Sequence, residues 1–573
     1  MKKLIIILFY LISISLNATT YYVAPTTATP AGNDVNAGTS DAPWATWLKG
    51  FQTAVAGDTV FIRGGVYYKP NATSYNVSNN GTAENHIVFA NYPGEIPILD
   101  CGNYRPTTYN EVIYTSNKSY IDFIGLTVRN VLQPGGDYGT DIKGFYFYMG
   151  TEVRAIRCTA YNISGIGFMS AFNNNDGVHY FINCDAYNVI DTLSAPGYVA
   201  GRGTGFRSYT FSGTSLGTTY FQSCRAWNCS DQGFSLSYDA VTIADGCWSF
   251  NNGYEAVGSK GDGHGFKMGW ANVASEVIKR RVTNCIAAYN DYSGFTTNDQ
   301  NYTAVRMGIY NNIAYENGNG RFTVAYGFII LNPSDDDDEL LRIFKNNISY
   351  ANQSGPVVMA AGALYTHDHN SWDIPLSFTD ADFVSVDSTG ITAPRQADGS
   401  LPDNDCYKYF LRPSSTFQGY QQGTDVGLTY DAVDSLWLAP PSIGFKEYYP
   451  ITPAVEPTLA DVATYKPRWI TTTTATTGGY IGDDGGADIT ARGVCWNTTG
   501  DPTTANSKTE DGTGDGAFTS TMTDLTYGTV YYVKAYGTNS AGTSYGSEMT
   551  FRTSIIKHDN KVIKHNGKVM VID

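Results

Sequence analysis

The chain has 573 residues, of which 42% are hydrophobic and only 16% charged, with a formal net charge of −16 and a pI of about 4.8. The hydrophobic share excludes a disordered chain, and the acidic balance disfavours nucleic acid and makes any other polyanion depend on a local basic patch. The 60 glycines and 43 tyrosines suit short strands and turns rather than helices.

Residues 1–18 read as a secretory signal peptide. Lys2 and Lys3 form the charged start, Leu4 to Ile14 the apolar core, and Asn17-Ala18 the small-residue end. The apolar run is too short to span a bilayer, and no later segment reads as transmembrane, so the chain is expected outside the cell or on its surface. Tyr21-Tyr22-Val23 is a short strand. Between Ala45 and Val55 the apolar residues Trp47, Leu48, Phe51 and Val55 recur at helical spacing, which predicts a short amphipathic helix that caps the N-terminal end of a solenoid. Gly57-Asp58 then turns into a strand from Thr59 to Arg63.

From about Ile87 to Val358 the chain repeats. Gly-Phe pairs stand at Gly167, Gly205, Gly233, Gly265, Gly294 and Gly327, in steps of 38, 28, 32, 29 and 33 residues. Aromatic-Asn pairs keep pace with them at Tyr161-Asn162, Tyr187-Asn188, Trp227-Asn228, Phe250-Asn251 and Tyr289-Asn290, with looser versions at Tyr315/Asn317 and Tyr350/Asn352. A coil of parallel strands uses roughly 20–30 residues per turn, and insertions lengthen single turns on one face. Helices are excluded by the glycine and β-branched residues in every run; a propeller is the alternative, though it usually shows hairpin turns at even spacing. The expected fold is all-β: a right-handed parallel β-helix over residues 19–447, with the asparagine amides stacked in a ladder. Cys158, Cys184, Cys224, Cys247 and Cys285 occupy equivalent repeat positions and read as a buried column, the alternative being a disulfide network.

The acidic run Asp335 to Asp338 with Glu339 reads as a solvated loop, with calcium binding as the alternative. Residues 361–447 carry irregular strand signals and are expected to close the C-terminal end of the coil. Residues 448–468 form a Pro/Thr-rich linker. Residues 469–553 alternate strands with Gly/Asp/Thr turns, which predicts a small β-sandwich. Leu525 to Tyr536 and Thr538-Asn539-Ser540 resemble the fibronectin type III-like modules of secreted bacterial enzymes, here read as a spacer. The tail, 554–573, repeats a seven-residue unit in which Asn566-Gly567 is suited to close a hairpin.

The chemistry concentrates in Gly261-Asp262-Gly263-His264-Gly265-Phe266-Lys267-Met268-Gly269. Glycines hold the backbone open around a lysine. If the Gly-Phe pairs align, Thr204, Gln232, His264, Ser293 and Tyr326 form one column and Arg207, Ser235, Lys267, Thr296 and Ile329 another. One strand spacing of about 4.8 Å per coil then puts Arg207 and Lys267 roughly 10 Å apart. Two cations flanking one groove suit a substrate that carries carboxylates. His264 is expected to line the groove and Trp270 to stack on a sugar, while Lys279-Arg280-Arg281 reads as a solvated strand end.

The segment Asn228 to Trp270 resembles polysaccharide lyase family 9, the pectate-lyase-like β-helix enzymes. Further likeness lies in Ala42-Pro43-Trp44, Gly57-Asp58-Thr59-Val60, Asp382-Phe383-Val384-Ser385 and the run Ala393 to Pro402, so it covers roughly 21–447. The resemblance implies a lyase that acts on an acidic polysaccharide, pectate by family default; the chain is expected to be a monomer. It gives Lys267 the role of the base that removes the C5 proton of a uronate, so that the C4 oxygen leaves by β-elimination. It also implies Ca2+ held by an aspartate cluster. Asp231 matches the first of those aspartates, but Thr204, Gln232 and Ser235 stand where the family has three more, and calcium prefers several carboxylate oxygens. Arg207 is therefore expected to meet the substrate carboxylate in the metal's place. Two other functions compete: a glycoside hydrolase, which needs paired carboxylates from among Asp231, Asp239, Asp245 and Asp262, and a non-catalytic glycan-binding surface protein.

Overall fold

The computed structural model describes residues 18–69, 74–104, 111–133, 142–173, 176–191, 201–211, 217–253, 261–269, 271, 277–299, 305–318, 324–331, 342–361, 363, 365–431, 436–447, 458–553, 556–558 and 561–563. The signal peptide up to Asn17, Trp270, the acidic run from Asp335 to Glu339, the first ten residues of the linker and Asn566-Gly567 lie outside them.

Each turn of the chain gives one short strand to each of three parallel sheets, of twelve, ten and ten strands, in a right-handed β-helix. Alternation of side chains sends every second residue inward, and the inward set is the core. Phe168, Phe206, Phe234, Phe266, Phe295 and Phe328 stack through it with ring centroids 4.7–4.9 Å apart and planes within 10° of parallel. That is one strand spacing, and each buried ring contributes roughly 1.5–3 kcal/mol. The glycine before each phenylalanine is required by close approach. A Cβ on Gly265 would sit 2.6 Å from the Gly294 carbonyl oxygen and 2.9 Å from the Ala287 side chain.

All nine cysteines are free and buried. In the five-residue column each thiol donates to a backbone carbonyl of the preceding coil, as Cys184 does to Ala155 at 3.3 Å and Cys224 to Phe181 at 3.3 Å. After Cys285 the same position passes to asparagine: Cys285 N–H donates to Asn312 Oδ1, and Asn312, Asn347 and Asn370 then bond amide to amide at 3.0 and 2.8 Å. A small polar side chain that satisfies the preceding coil's backbone is what the position demands, and both residue types supply it.

The aromatic-Asn pairs build two ladders where the spacing predicts one. Asn162 and Asn228 are exposed and Asn188 half-buried; all three lie at positive φ and bond in sequence with Asn130 at their head. A second, inner ladder starts one residue later, at Asn252, and runs through Asn290, Asn317 and Asn352 at 2.8–2.9 Å. The residue equivalent to Asn251 on the next coil is Tyr289, also at positive φ, so Asn251 and Asn290 do not belong to one column.

The N-terminal end is covered as expected. The helix Trp47–Thr53 is capped by the Thr46 side chain, which accepts from Lys49 N at 3.1 Å, and it drives Phe51 onto Phe89 and Phe123. Val55 lies beyond the helix and is exposed. At the other end Trp372 packs on Phe328, but most of the segment up to residue 447 does not close the coil. It runs back along the outer face of the third sheet, where Phe383, Ile391, Tyr407 and Phe410 share a core with Trp248, Ile286 and Tyr315. Two arginines pin it there: Arg225 on the coil and Arg395 on the returning segment both bond to the buried Asp185.

Residues 458–553 form a small sandwich of two antiparallel sheets. One contains Asp461–Thr464, Ala475–Asp483 and Gly516–Met522; the other is centred on Ala491–Asn497 and Val530–Asn539. Val462, Ile481 and Phe518 from the first meet Val494, Val533 and Phe551 from the second in one core. In the tail, Ile556–His558 pairs antiparallel with Lys561–Ile563, a hairpin ahead of the Asn-Gly pair. No helix among the described residues is long and apolar enough to cross a membrane.

Candidate active site

The second sheet carries the candidate site on its outward face. Its register pairs Met169 with Arg207, Arg207 with Ser235, Ser235 with Lys267 and Lys267 with Thr296, the column that the Gly-Phe alignment predicts. Arg207 and Lys267 are thus two strand spacings apart, about 10 Å. Phe266 and Met268 on either side of Lys267 are fully buried, so the lysine stands on a backbone clamped by the core. The Met268 carbonyl is held in turn by Arg280 Nε at 2.8 Å. Lys279 and Arg280 are buried, which corrects the reading of that cluster as solvated. Lys279 pairs with Asp239 at 3.3 Å, and the Arg280 guanidinium binds the carbonyls of Ala240, Lys279 and Tyr238, its pKa pushed down to about 9 by burial.

The glycine-rich loop ahead of the lysine positions Asp262. Gly263 adopts φ +70°, and a Cβ there would lie 2.9 Å from that of Asp291, so only glycine fits the turn. Asp231 fastens this turn twice: its backbone carbonyl accepts from Gly263 N and its carboxylate from Asp262 N, both at 2.8 Å. The Asp262 carboxylate then pairs with the Lys267 ammonium. The motif alone does not single out this pairing, although a five-residue separation across a glycine turn is its signal. Asp231 is buried, and burial first, then the Asp262 charge, push its carboxyl up to about 7, against the pull of Lys267 and Arg207.

His264 does not line the groove, a correction to its expected substrate-binding role. It is 4% exposed, its Nδ1 lies 2.6 Å from Ser293 Oγ, and its ring packs on Tyr292. Burial pushes its pKa down to about 3, with the Lys267 charge adding to the fall and Asp262 opposing it. An unfolded histidine titrates near 6.5, so the unfolded chain takes up this proton first. The stability that His264 contributes is complete above about pH 6.5 and is lost as pH falls toward 3. His264→Asn, which keeps a polar partner for Ser293, is expected to flatten the decline in thermal midpoint between about pH 6.5 and 4. An unchanged slope overturns that assignment.

The residues at the family's calcium positions do not fit that ion. Asp231 supplies one carboxylate, already committed to the Asp262 N–H and flanked by two cations. Gln232 Nε2 donates to Thr204 Oγ1 at 3.3 Å, and Ser235 Oγ lies 3.4 Å from Ser237 Oγ. Among the described residues no cluster of three or more His, Cys, Asp or Glu could hold a metal ion. Calcium needs several charged oxygens to offset its dehydration, and a neighbouring guanidinium and ammonium oppose a dication.

The family model described as Pel9A-like, right handed beta helix region matches residues 21–353. Pectate lyase PEL9 of Emericella nidulans is 27% identical over 70% of this chain and 93% of its own. Pectate lyase L of Dickeya dadantii is 31% identical over 60% of this chain and 83% of its own. Among solved structures, one titled as a rhamnogalacturonan lyase superposes with a TM-score of 0.54 at 26% identity, over 68% of this chain and 96% of its own. The crystal structure of pectate lyase Pel9A gives a TM-score of 0.56 at 22% identity, over 76% and 97%.

Proposed function

The chain belongs to the family of Pel9A-like right-handed β-helices, and on that premise we propose that it is an exported polysaccharide lyase that breaks a uronate-bearing polymer, pectate-like, by β-elimination. The observation that carries the reading is the column Arg207–Ser235–Lys267 on one outward face, with Asp262 fixing the lysine. The names of the relatives, pectate lyase and rhamnogalacturonan lyase, support the reaction class.

In this reading Arg207 binds the carboxylate of the uronate to be cleaved. Its planar guanidinium matches a carboxylate with two parallel hydrogen bonds. Nζ of Lys267, in its neutral form, takes the proton from C5. The electron pair of that C–H bond becomes the second bond between C4 and C5, the C4–O4 bond breaks, and O4 leaves with its part of the chain and takes a proton from solvent. Negative charge grows on the carboxylate as the proton departs, and a fixed cation lowers the barrier there. Asp262 orients the amine, and Asp231, below it, holds Asp262. No step passes through calcium.

A hydrolase would use Asp231 and Asp262, the two carboxylates of the four candidates that come together. Asp231 is buried under the loop and Asp262 is engaged by Lys267, so neither is placed as an acid or nucleophile toward a glycosidic oxygen. Asp239 and Asp245 are bound to Lys279 and to Thr283 and Asn284.

The test is ultraviolet absorbance of the unsaturated uronide over a panel of acidic polysaccharides, with and without chelator. Wild type is expected to cleave at the same rate in both, and Arg207→Ala to lose about 10²–10³-fold in kcat/KM. Activity that survives in Arg207→Ala, or that chelator abolishes, refutes the role of Arg207. New reducing ends without absorbance refute the lyase, and binding with neither points to a glycan-binding protein.

A further inference from the structure

The strand Thr204–Thr210 sends Phe206, Ser208 and Thr210 inward and Arg207 and Tyr209 outward, and Phe211, the next outward position, continues the row. Phe211 is 55% exposed, yet it is held on both sides. Its ring stands edge-to-face on Tyr148, with centroids 5.7 Å apart at 89°, and on Tyr209, 4.9 Å apart at 67°. The register explains how one ring reaches both: Tyr148 and Tyr209 are separated by a single coil whose residue in that column is Ala171, too small to fill the gap. Tyr209 is braced by Tyr238 at 4.2 Å and lies under the Arg207 guanidinium at 5.1 Å. A large apolar ring fixed in water, with tyrosines beside it, offers a flat face for C–H groups and hydroxyls at its rim.

We propose that Phe211, supported by Tyr148 and Tyr209, is a sugar-stacking subsite that binds a pyranose ring of the same polymer whose uronate meets Arg207. This rests on the lyase reading for the identity of the polymer. Phe211 lies four residue steps beyond Arg207, about 13 Å at the rise of an extended chain, too far for the ring held at Lys267. The occupant is therefore another ring along the chain. Continuity decides for sugar over an unrelated partner: Arg207 and Tyr209 on the strand and Phe211 just past its end share one face, so a polymer anchored by its carboxylate passes over the aromatic ring. The subsite reads ring shape through its aromatic face. It extends recognition to rings that carry no carboxylate.

The test compares Phe211→Ala and Phe211→Trp with wild type on the polymer and on the shortest fragment that wild type cleaves. Phe211→Ala is expected to raise KM for the polymer about three- to tenfold, the range of one aromatic contact, with the change confined to KM. KM for the shortest fragment is expected to stay put, and Phe211→Trp to retain polymer affinity. An unchanged KM for the polymer, or an equal rise on both substrates, overturns the subsite. If wild type forms no unsaturated product, the lyase reading fails separately. Retardation of Lys267→Ala in gels containing the same polymers, with and without Phe211→Ala, then reads the subsite without chemistry: loss of retardation supports it and equal retardation overturns it.

Discussion

Lys267→Ala is expected to lower kcat for unsaturated product by about 10²- to 10⁴-fold, the range of a positioned general base, with little change in KM. The prediction separates chemistry from folding because the lysine is not part of what holds the loop. Phe266 and Met268 remain in the core, Arg280 still holds the Met268 carbonyl, and Asp231 still accepts from Asp262 N. The Asp262 side chain is 43% exposed, so loss of its partner leaves a carboxylate in water and not an orphan charge in the interior. A thermal midpoint close to wild type is therefore part of the expected result. Lys267→Arg should not rescue, since a guanidinium stays protonated and cannot take the C5 proton. Wild-type turnover in Lys267→Ala would remove this residue from the chemistry and with it the column as the active site.

That column was legible in the sequence because it obeys a repeat. Gly-Phe recurs once per coil, the phenylalanine must point inward, and the residue after it must then share a face with its counterparts. The asparagine ladders obeyed a repeat too, but a degenerate one. Phe250-Asn251-Asn252 offers two amides in succession, and nothing local says that the first stands outside both bonded ladders while the inner ladder starts at the second. Tyr289-Asn290 repeats the pattern of Phe250-Asn251 in the wrong register. The burial of Lys279 and Arg280 was invisible for another reason: Arg280 is stabilised by backbone carbonyls of Tyr238, Ala240 and Met268, and carbonyls leave no mark in a sequence. Aromatic exposure has the same limit. Phe211 reads as one more strand residue until the fold places Tyr148 and Tyr209 on either side of it. What a period can carry, the sequence shows; what depends on a contact between distant coils, it does not.

Asp185→Ala is expected to cost about 3–5 kcal/mol, the consequence of removing one member of a buried ion cluster. Asp185 Oδ1 accepts from Arg225 Nε at 2.9 Å and from Arg395 Nε at 2.8 Å, while Oδ2 pairs with Arg225 Nη2. Burial alone would raise this carboxyl's pKa, but the two guanidinium groups, Arg395 ahead of Arg225, hold it below the usual range. A depressed carboxyl contributes stability above the unfolded carboxylate pKa of about 3.9 and loses it as pH falls below that value, so the cluster is intact at neutral pH. Without Asp185 the fully buried Arg225 keeps the Ala393 carbonyl, the Tyr407 hydroxyl and the face of Trp227 but no counter-charge from Asp185, and two positive charges face each other on the flank. The segment that Arg395 anchors should loosen first, because it loses its ion pair to the coil and keeps the apolar contacts of Ile391, Tyr407 and Phe410 with a few hydrogen bonds, such as that of Arg395 to the Ser223 carbonyl. Limited proteolysis is thus expected to cut within residues 391–410 of the variant before the coil itself, together with a lowered thermal midpoint. Wild-type resistance and midpoint would show that apolar packing alone secures the segment. The column proposed as catalytic lies on a different sheet from Asp185, which pairs in register with Arg225 and through it with Trp248. Turnover by the folded fraction should accordingly be unchanged, so the same variant that weakens the flank leaves the chemistry of Lys267 as an internal control.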